Sequence, residues 1–282
     1  MELLRLYWQA YMSTKINTSH TIRSWVIQYQ VVKALVLREI LTRWGRRNIG
    51  FLWLFVEQLI VMFCFWIIFY VHSIGNFSFA ALGISLTAFV LIGHAPLMLY
   101  RGSVTIISNA IKSNTALLHH RNLKALDFYL ARFILEAVGN TASIFLLISL
   151  GIFFNLIPMP KNLPLLLLAW CMFVWFAFGF GLTIGILVSQ YEWVNIAWKI
   201  LAITLIFISG AYFYVRLIPT YLQKYALMLP WINGAEMIKH GYFGEHIKTY
   251  ENPYYFALWC LILTFSGLSL SKIYGTHLPS KL

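Results

Sequence analysis

Three observations predict an all-α integral membrane protein. Apolar residues make up 60% of the 282-residue chain and charged residues only 11%, whereas soluble domains carry about 25% charged residues and about 45–50% apolar ones. Mean hydropathy is +0.74. The apolar residues also gather into six runs, 52–71, 79–100, 133–155, 163–188, 194–214 and 254–271. Each is close to the ~20 residues that cross a bilayer core at ~1.5 Å of helix rise per residue. The expected architecture is six transmembrane helices with an N-terminal amphipathic interfacial helix and a re-entrant or short-helix segment before the last span.

Residues 1–30 read as a cytoplasmic N-terminal extension, and residues 31–282 as the transmembrane domain. The extension has no apolar core followed by small residues, so it is not a secretory signal and the first span is expected to be retained as an anchor. The stretch 37–58, LREILTRWGRRNIGFLWLFVEQ, packs Arg38, Arg43, Arg46 and Arg47 into ten residues before an apolar run. As a helix, Leu37, Ile40, Leu41 and Trp44 share one face, while Arg38, Glu39, Thr42, Arg43 and Arg46 occupy the other. Such a helix lies in a membrane surface with its cations toward anionic headgroups. Gly45 and Gly50 loosen the backbone where the chain turns into the first span.

The cations set the orientation. With the N-terminus inside, segments 1–51, 101–132, 189–193 and 272–282 hold eight, five, none and two Lys or Arg. The segments outside hold none, one (Lys161) and four (Arg216, Lys224, Lys239, Lys248). That bias predicts cytoplasmic N and C termini. The net charge of +12 therefore reflects membrane topology, and no nucleic-acid partner is expected. Cys64, Cys171 and Cys260 fall inside separate apolar runs and read as small buried hydrophobes, with no disulfide or metal framework.

Segment 215–253 is partly apolar and broken by Pro219 and Pro230. Short helices are expected over 221–228 and 233–242, too short to span. A re-entrant outer lid and a surface loop with two amphipathic helices both fit this pattern.

Few groups carry chemistry. Glu57 lies about one turn inside the first span, and Arg132 and Glu136 lie near the start of the third. Both a substrate path and interface-level ion pairing fit them, and Arg132 and Glu136 are spaced to satisfy each other. His72, His94, His119 and His120 lack the second carboxylate or histidine of a metal site, so no metal is expected. The chain has no HExxH, GxSxG or GxxxxGK[ST] sequence, so it cannot itself be a P-loop ATPase. Among the aromatic residues, 17% of the chain, Trp53, Tyr70, Tyr100, Trp193 and Trp198 read as interfacial belts. Tyr212, Phe213, Tyr214, Tyr221, Trp231 and Phe243 cluster on and before the expected lid. They fit either a belt or a set of flat faces for a sliding sugar chain.

These residues resemble the membrane subunit of type-2 ABC polysaccharide exporters, in particular the capsule polysaccharide export permeases, over about residues 31–274. The stretch 37–58 is similar to that family's LxREIxTRFG…LGYLWxxxEP, with Gln58 in place of the usual proline. HHRNLKALDFYLARFILE, 119–136, is similar to YRxVKxLDxxxAR, with Asn122 and Ala125 at positions often held by proline. PWINGAEMIKHGYFG, 230–244, is similar to NPxxHxxELxRxGYFG.

The resemblance implies a permease subunit, not an enzyme, in the bacterial inner membrane. It implies a homodimer joined to two copies of a cytoplasmic P-loop ATPase, which would bind the ATP and Mg; this chain is expected to bind no cofactor. The substrate would be a lipid-linked capsular polysaccharide, with an O-antigen or teichoic acid permease as the alternative and a secondary carrier or drug-type permease as a more distant one. A periplasmic co-polymerase and an outer-membrane exporter are further implied partners. On this reading Arg38, Arg43, Arg46, Arg47 and Glu57 form the entry gate for the lipid phosphate, and the six aromatic residues line the glycan channel. A coupling helix over 106–118 would meet the ATPase through Ile106, Asn109, Lys112, Leu117 and Arg121.

Overall fold

A computed structural model describes residues 20–44, 85–117, 123–246 and 248–275, with eight further positions between 56 and 71. Helices and the turns between them account for the described residues, with no strand among them. The helices are α1 (His20–Trp44), α2 (Leu86–Ser108), α3 (Ala125–Phe153), α4 (Leu163–Gln190), α5 (Glu192–Ile208), α6 (Thr220–Leu227), α7 (Pro230–Phe243) and α8 (Pro253–Gly275). Among the described residues, α2, α3, α4 and α8 are long and apolar enough to cross a membrane. Of the expected first span, Val56, Leu59, Ile60, Phe63, Cys64, Ile67, Ile68 and Val71 are described. All are helical and exposed, and their spacing of three and four places them on one helix face.

Two spans start elsewhere than hydropathy predicts. α2 begins at Leu86 and continues past Tyr100 to Ser108, because Arg101, Ser103 and Ser108 turn toward protein rather than lipid. Ser103 and Ser108 are buried, and each hydroxyl donates to a carbonyl of its own helix, Leu99 or Thr105. α3 starts at Ala125, upstream of the expected 133, where Asp127 accepts the Lys124 backbone N–H at 2.9 Å. It ends where Asn155 adopts the left-handed region (φ 56°), and Leu156 N–H closes on the Gly151 carbonyl. Of the cysteines, Cys260 is buried, whereas Cys64 and Cys171 are exposed. Periodicity identifies an apolar helix residue but not whether it faces lipid or protein.

The core is built around α4, which packs against α2, α7 and α8. Its GLTIG sequence lets α2 approach closely: a Cβ on Gly181 would come 2.8 Å from Ser103 Cβ, and one on Gly185 2.9 Å from Ile107 Cγ2. Small residues at helix contacts bring backbones together where lipid supplies no hydrophobic drive. Phe173, Phe176 and Phe180 follow at helical spacing and form a ring cluster with Tyr100 and Phe256, with centroids 5.2–6.5 Å apart. α5 is attached far more loosely, with Trp198 and Leu205 as its buried residues and Ile196, Ile200, Ile203 and Phe207 exposed.

The expected fifth span, 194–214, breaks. α5 stops at Ile208, and residues 209–214 run irregularly through Gly210 at φ 74°. The two short helices then differ in kind. α6 buries no residue, while α7 is buried on nearly every face, with Trp231 and His240 its partly exposed positions.

The irregular segment and α2 fit without slack, since a Cβ on Gly93 would sit 1.9 Å from the Ala211 carbonyl oxygen. Gly93→Ala is therefore expected to destabilise the protein by about 1–3 kcal/mol, read as a lower melting temperature in detergent. An unchanged melting temperature would show that α2 and the segment separate freely.

Candidate functional site

Two polar assemblies stand out in an otherwise apolar molecule. The first joins α1 to α3 and to the α2–α3 connection. Glu39 and Arg132 form an ion pair at 3.0 Å, both side chains about 90% buried. Beside Glu39 in the chain, Arg38 Nη1 donates to Asn114 Oδ1 at 2.6 Å. Asn114, itself buried, donates to the Ala110 carbonyl at 2.9 Å. Toward the start of α1, the Gln28 amide bonds the Asp127 carboxylate. Arg38 and Glu39 of α1 are thus turned to protein, while Leu37 and Leu41 are exposed. A buried ion pair persists only where geometry and further hydrogen bonds repay its desolvation.

Of the residues named from sequence as gate groups, Arg38 contacts the α2–α3 connection on which the coupling residues are expected. Ile106 is in the last turn of α2, and Asn109 is its C-cap, donating its side-chain amide to the Thr105 carbonyl. Lys112 and Leu117 begin and end a 3-10 turn, so the single helix expected over 106–118 is divided by a turn after Ser108. Arg43 lies in the last turn of α1; its side chain, with Arg46, Arg47, Glu57 and Arg121, is outside the described residues. Arg132 reaches across to α1, a partner that its neighbours in sequence do not reveal.

The second assembly centres on α7, where Glu236 and Lys239 lie one turn apart and 1% exposed. Lys239 Nζ donates to the carbonyls of Gly210, at 2.5 Å, and Phe213, and it stands 3.5 Å from Glu236 Oε1. It also lies over the rings of Tyr214 (4.7 Å) and Phe89 (5.3 Å), a cation–π arrangement. Glu236 Oε1 accepts the Val215 N–H at 3.3 Å.

The rest of α7 is held as firmly. Asn233 donates to the Leu227 carbonyl and accepts the Asn252 N–H. The His240 ring bonds Glu251. Tyr242 Oη donates to the Pro158 carbonyl, and the Lys161 and Asn162 N–H groups close on the carbonyls of Tyr242 and Gly241.

The aromatic residues proposed for a glycan path fall into three groups. Tyr212 and Trp231 are partly buried and polar-bonded: Tyr212 Oη meets His94 Nδ1 at 2.6 Å, and the Trp231 indole N–H points to the Ile208 carbonyl at 3.4 Å. Phe213 lines an open cleft of about 290 Å³ with Phe207, Ile218, Leu222, Tyr225 and Ile232, and Tyr221 is exposed. Tyr214 and Phe243 are packed away in the core, Tyr214 stacked on Phe89 at 5.3 Å and Phe243 edge-on to Tyr242 at 5.0 Å.

Sequence reasoning passed over Lys239, Glu236, His94 and Asn114. The signal for the first two was present, since GAEMIK sets a carboxylate and an ammonium one helical turn apart. Lys239 was instead counted among the cations of an outside loop.

Comparison with known proteins adds a family. Residues 30–243 match the model of the ABC-2 type transporter family. The chain is 36% identical over 259 residues to the capsule polysaccharide export inner-membrane protein CtrC of Neisseria meningitidis, covering 91% of this chain and 95% of that one. It is 36% identical to BexB of Haemophilus influenzae, which bears the same description, over 89% of this chain and 93% of the relative. The polysialic acid transport protein KpsM of Escherichia coli is 27% identical over 87% of this chain and 94% of its own length.

The Glu39–Arg132 pair supports a direct test. Arg132→Met leaves a buried carboxylate without its partner and is expected to cost about 3–5 kcal/mol, while adding Glu39→Gln recovers most of it. Melting temperatures of the detergent-solubilised single and double variants measure this coupling; strictly additive losses would show that there is none.

Proposed function

The chain belongs to the ABC-2 type transporter family, and from that premise we propose that it is the permease subunit of an ATP-driven exporter of lipid-linked capsular polysaccharide across the inner membrane. The observation that carries this reading is 36–39% identity over about nine tenths of the chain to proteins described as capsule polysaccharide export inner-membrane proteins. Physical features support it. The sequence carries no phosphate loop, so ATP hydrolysis, with its Mg, falls to a separate cytoplasmic P-loop ATPase, two copies serving a permease homodimer. A periplasmic co-polymerase and an outer-membrane exporter complete the route to the surface.

In this reading the chain crosses the membrane six times with both termini in the cytoplasm. Residues 56–71 contribute the first span, and α5 with its broken end the fifth. α1 lies at the cytoplasmic surface with Leu37 and Leu41 toward lipid. α7 re-enters from the outer side, which agrees with its burial on nearly every face and with the carbonyls of Gly210 and Phe213 accepting from Lys239.

The contacts support a path of force. The ATPase pushes on the α2–α3 connection, where Asn109, Lys112 and Leu117 lie. Arg38–Asn114 passes the displacement to α1, and Glu39–Arg132 passes it to α3. α1 leads into Arg46, Arg47 and Glu57, which receive the lipid phosphate at the entry gate; guanidinium groups suit phosphate through paired N–H donors. Tyr212, Phe213, Tyr221 and Trp231 offer ring faces to the glycan, each contact weak enough for the chain to slide past.

Deleting the gene in its own host should leave lipid-linked polysaccharide inside the cell and strip it from the surface; unchanged surface polysaccharide overturns the reading. Within it, Tyr212→Ala and Trp231→Ala are each expected to lower surface polysaccharide about tenfold, the equivalent of roughly 1.4 kcal/mol, with normal amounts of protein in the membrane. Wild-type export by both variants would return these residues to an interfacial belt.

A further inference from the structure

We propose that Lys239 is the positioning residue of the broken fifth span: its ammonium holds the Gly210 and Phe213 carbonyls so that Tyr212 and Phe213 are presented to the passing glycan. This rests on the export reading and adds a named group that makes the aromatic contact possible.

An unbroken helix through 209–214 would point these rings around its axis at successive angles of about 100°. The observed chain instead turns at Gly210, in the left-handed region, and sends Tyr212 back to His94 of α2 and Phe213 into the open cleft. A turn of this kind leaves backbone carbonyls without helical N–H donors, and at membrane depth no water replaces them. Lys239 supplies the donors from α7. An ammonium has three N–H bonds, and three acceptors surround it: the carbonyls of Gly210 and Phe213, and Glu236 Oε1. The rings of Phe89 and Tyr214 close the remaining sides. The two carbonyls flank Ala211 and Tyr212, so the ammonium grips the segment on either side of the residue that reaches His94.

Structural burial alone does not require a charge here, because a neutral pair of similar size would fill the same space. The charge is needed where the irregular backbone is needed. The Glu236 carboxylate balances the ammonium and takes the Val215 N–H just beyond the segment, so the pair brackets residues 210–215 from one face of α7.

The test uses the full-length permease with its ATPase in its own host, scoring surface polysaccharide against the amount of permease in the membrane. Lys239→Met alone strands Glu236 and is expected to reduce the protein itself. The double variant Lys239→Met/Glu236→Gln removes both charges and keeps the volume. It should reach normal membrane levels yet export about tenfold less polysaccharide, because two carbonyls lose their donor. Lys239→Arg retains charge and donors and should export within about twofold of the wild type.

Normal export by the double variant overturns the proposal while leaving the export reading intact, and so does lost export by Lys239→Arg at normal protein level. If the double variant does not accumulate, Lys239→Arg decides alone by the same criterion. Failure of the export reading shows separately, as a gene deletion without effect on surface polysaccharide.

Discussion

The ammonium of Lys239 is the constraint on which the packing of α7 against residues 209–214 depends. An isolated ion of this size costs several kcal/mol to bury even after relaxation, and each unpaired backbone carbonyl in an apolar surrounding costs several more. Placed together, the carbonyls of Gly210 and Phe213 and the carboxylate of Glu236 solvate the ammonium, and the ammonium satisfies the carbonyls. The break after α5 and the burial of α7 are therefore one structural event described from two sides. The remaining ties of α7, through Asn233, His240, Tyr242 and the 161–162 backbone, keep Lys239 at the depth where the break occurs.

The assembly of α1 with α3 and the α2–α3 connection follows a different logic. There the charged groups sit between helices rather than inside one irregular segment, and each joins elements distant in sequence: Glu39 to Arg132, Arg38 to Asn114, Gln28 to Asp127. α4, with a contact surface of small residues and phenylalanine rings, packs against α2, α7 and α8 and gives the molecule its apolar centre. The loosely attached α5, exposed along Ile196, Ile200, Ile203 and Phe207, is the element most in need of further neighbours, whether lipid or protein.

Much of this was legible in the sequence because the bilayer makes strong demands on it. Long apolar runs identified α3, α4 and α8 as spans. The two short helices before the last span were readable from Pro219, Pro230 and their limited length. The ends of α2 and α3 were not, since hydropathy stops at Arg101 and begins at Phe133. The helices themselves extend further, because buried polar residues such as Ser103 and Asp127 find partners within the protein. The candidate site was less legible than the fold. The six aromatic residues form one cluster in sequence but divide in space into partly buried, exposed and core positions, which depends on how residues 209–214 turn.

By itself, the sequence determined that the chain is helical, that it lives in a membrane, and to which family it belongs. Composition, run length and motif spacing are local properties that survive without knowledge of contacts. Only the tertiary structure decided what each charge is for. Lys239 counts in sequence as one cation of an outer loop, and in the fold it is a buried donor to a broken helix. Arg132 has Glu136 one turn along its own helix, and it forms an ion pair at 3.0 Å with Glu39 of another. The reason is physical: in a low-dielectric interior an ionisable group is specified by the partner that repays its desolvation, and that partner is set by packing between segments far apart in the chain.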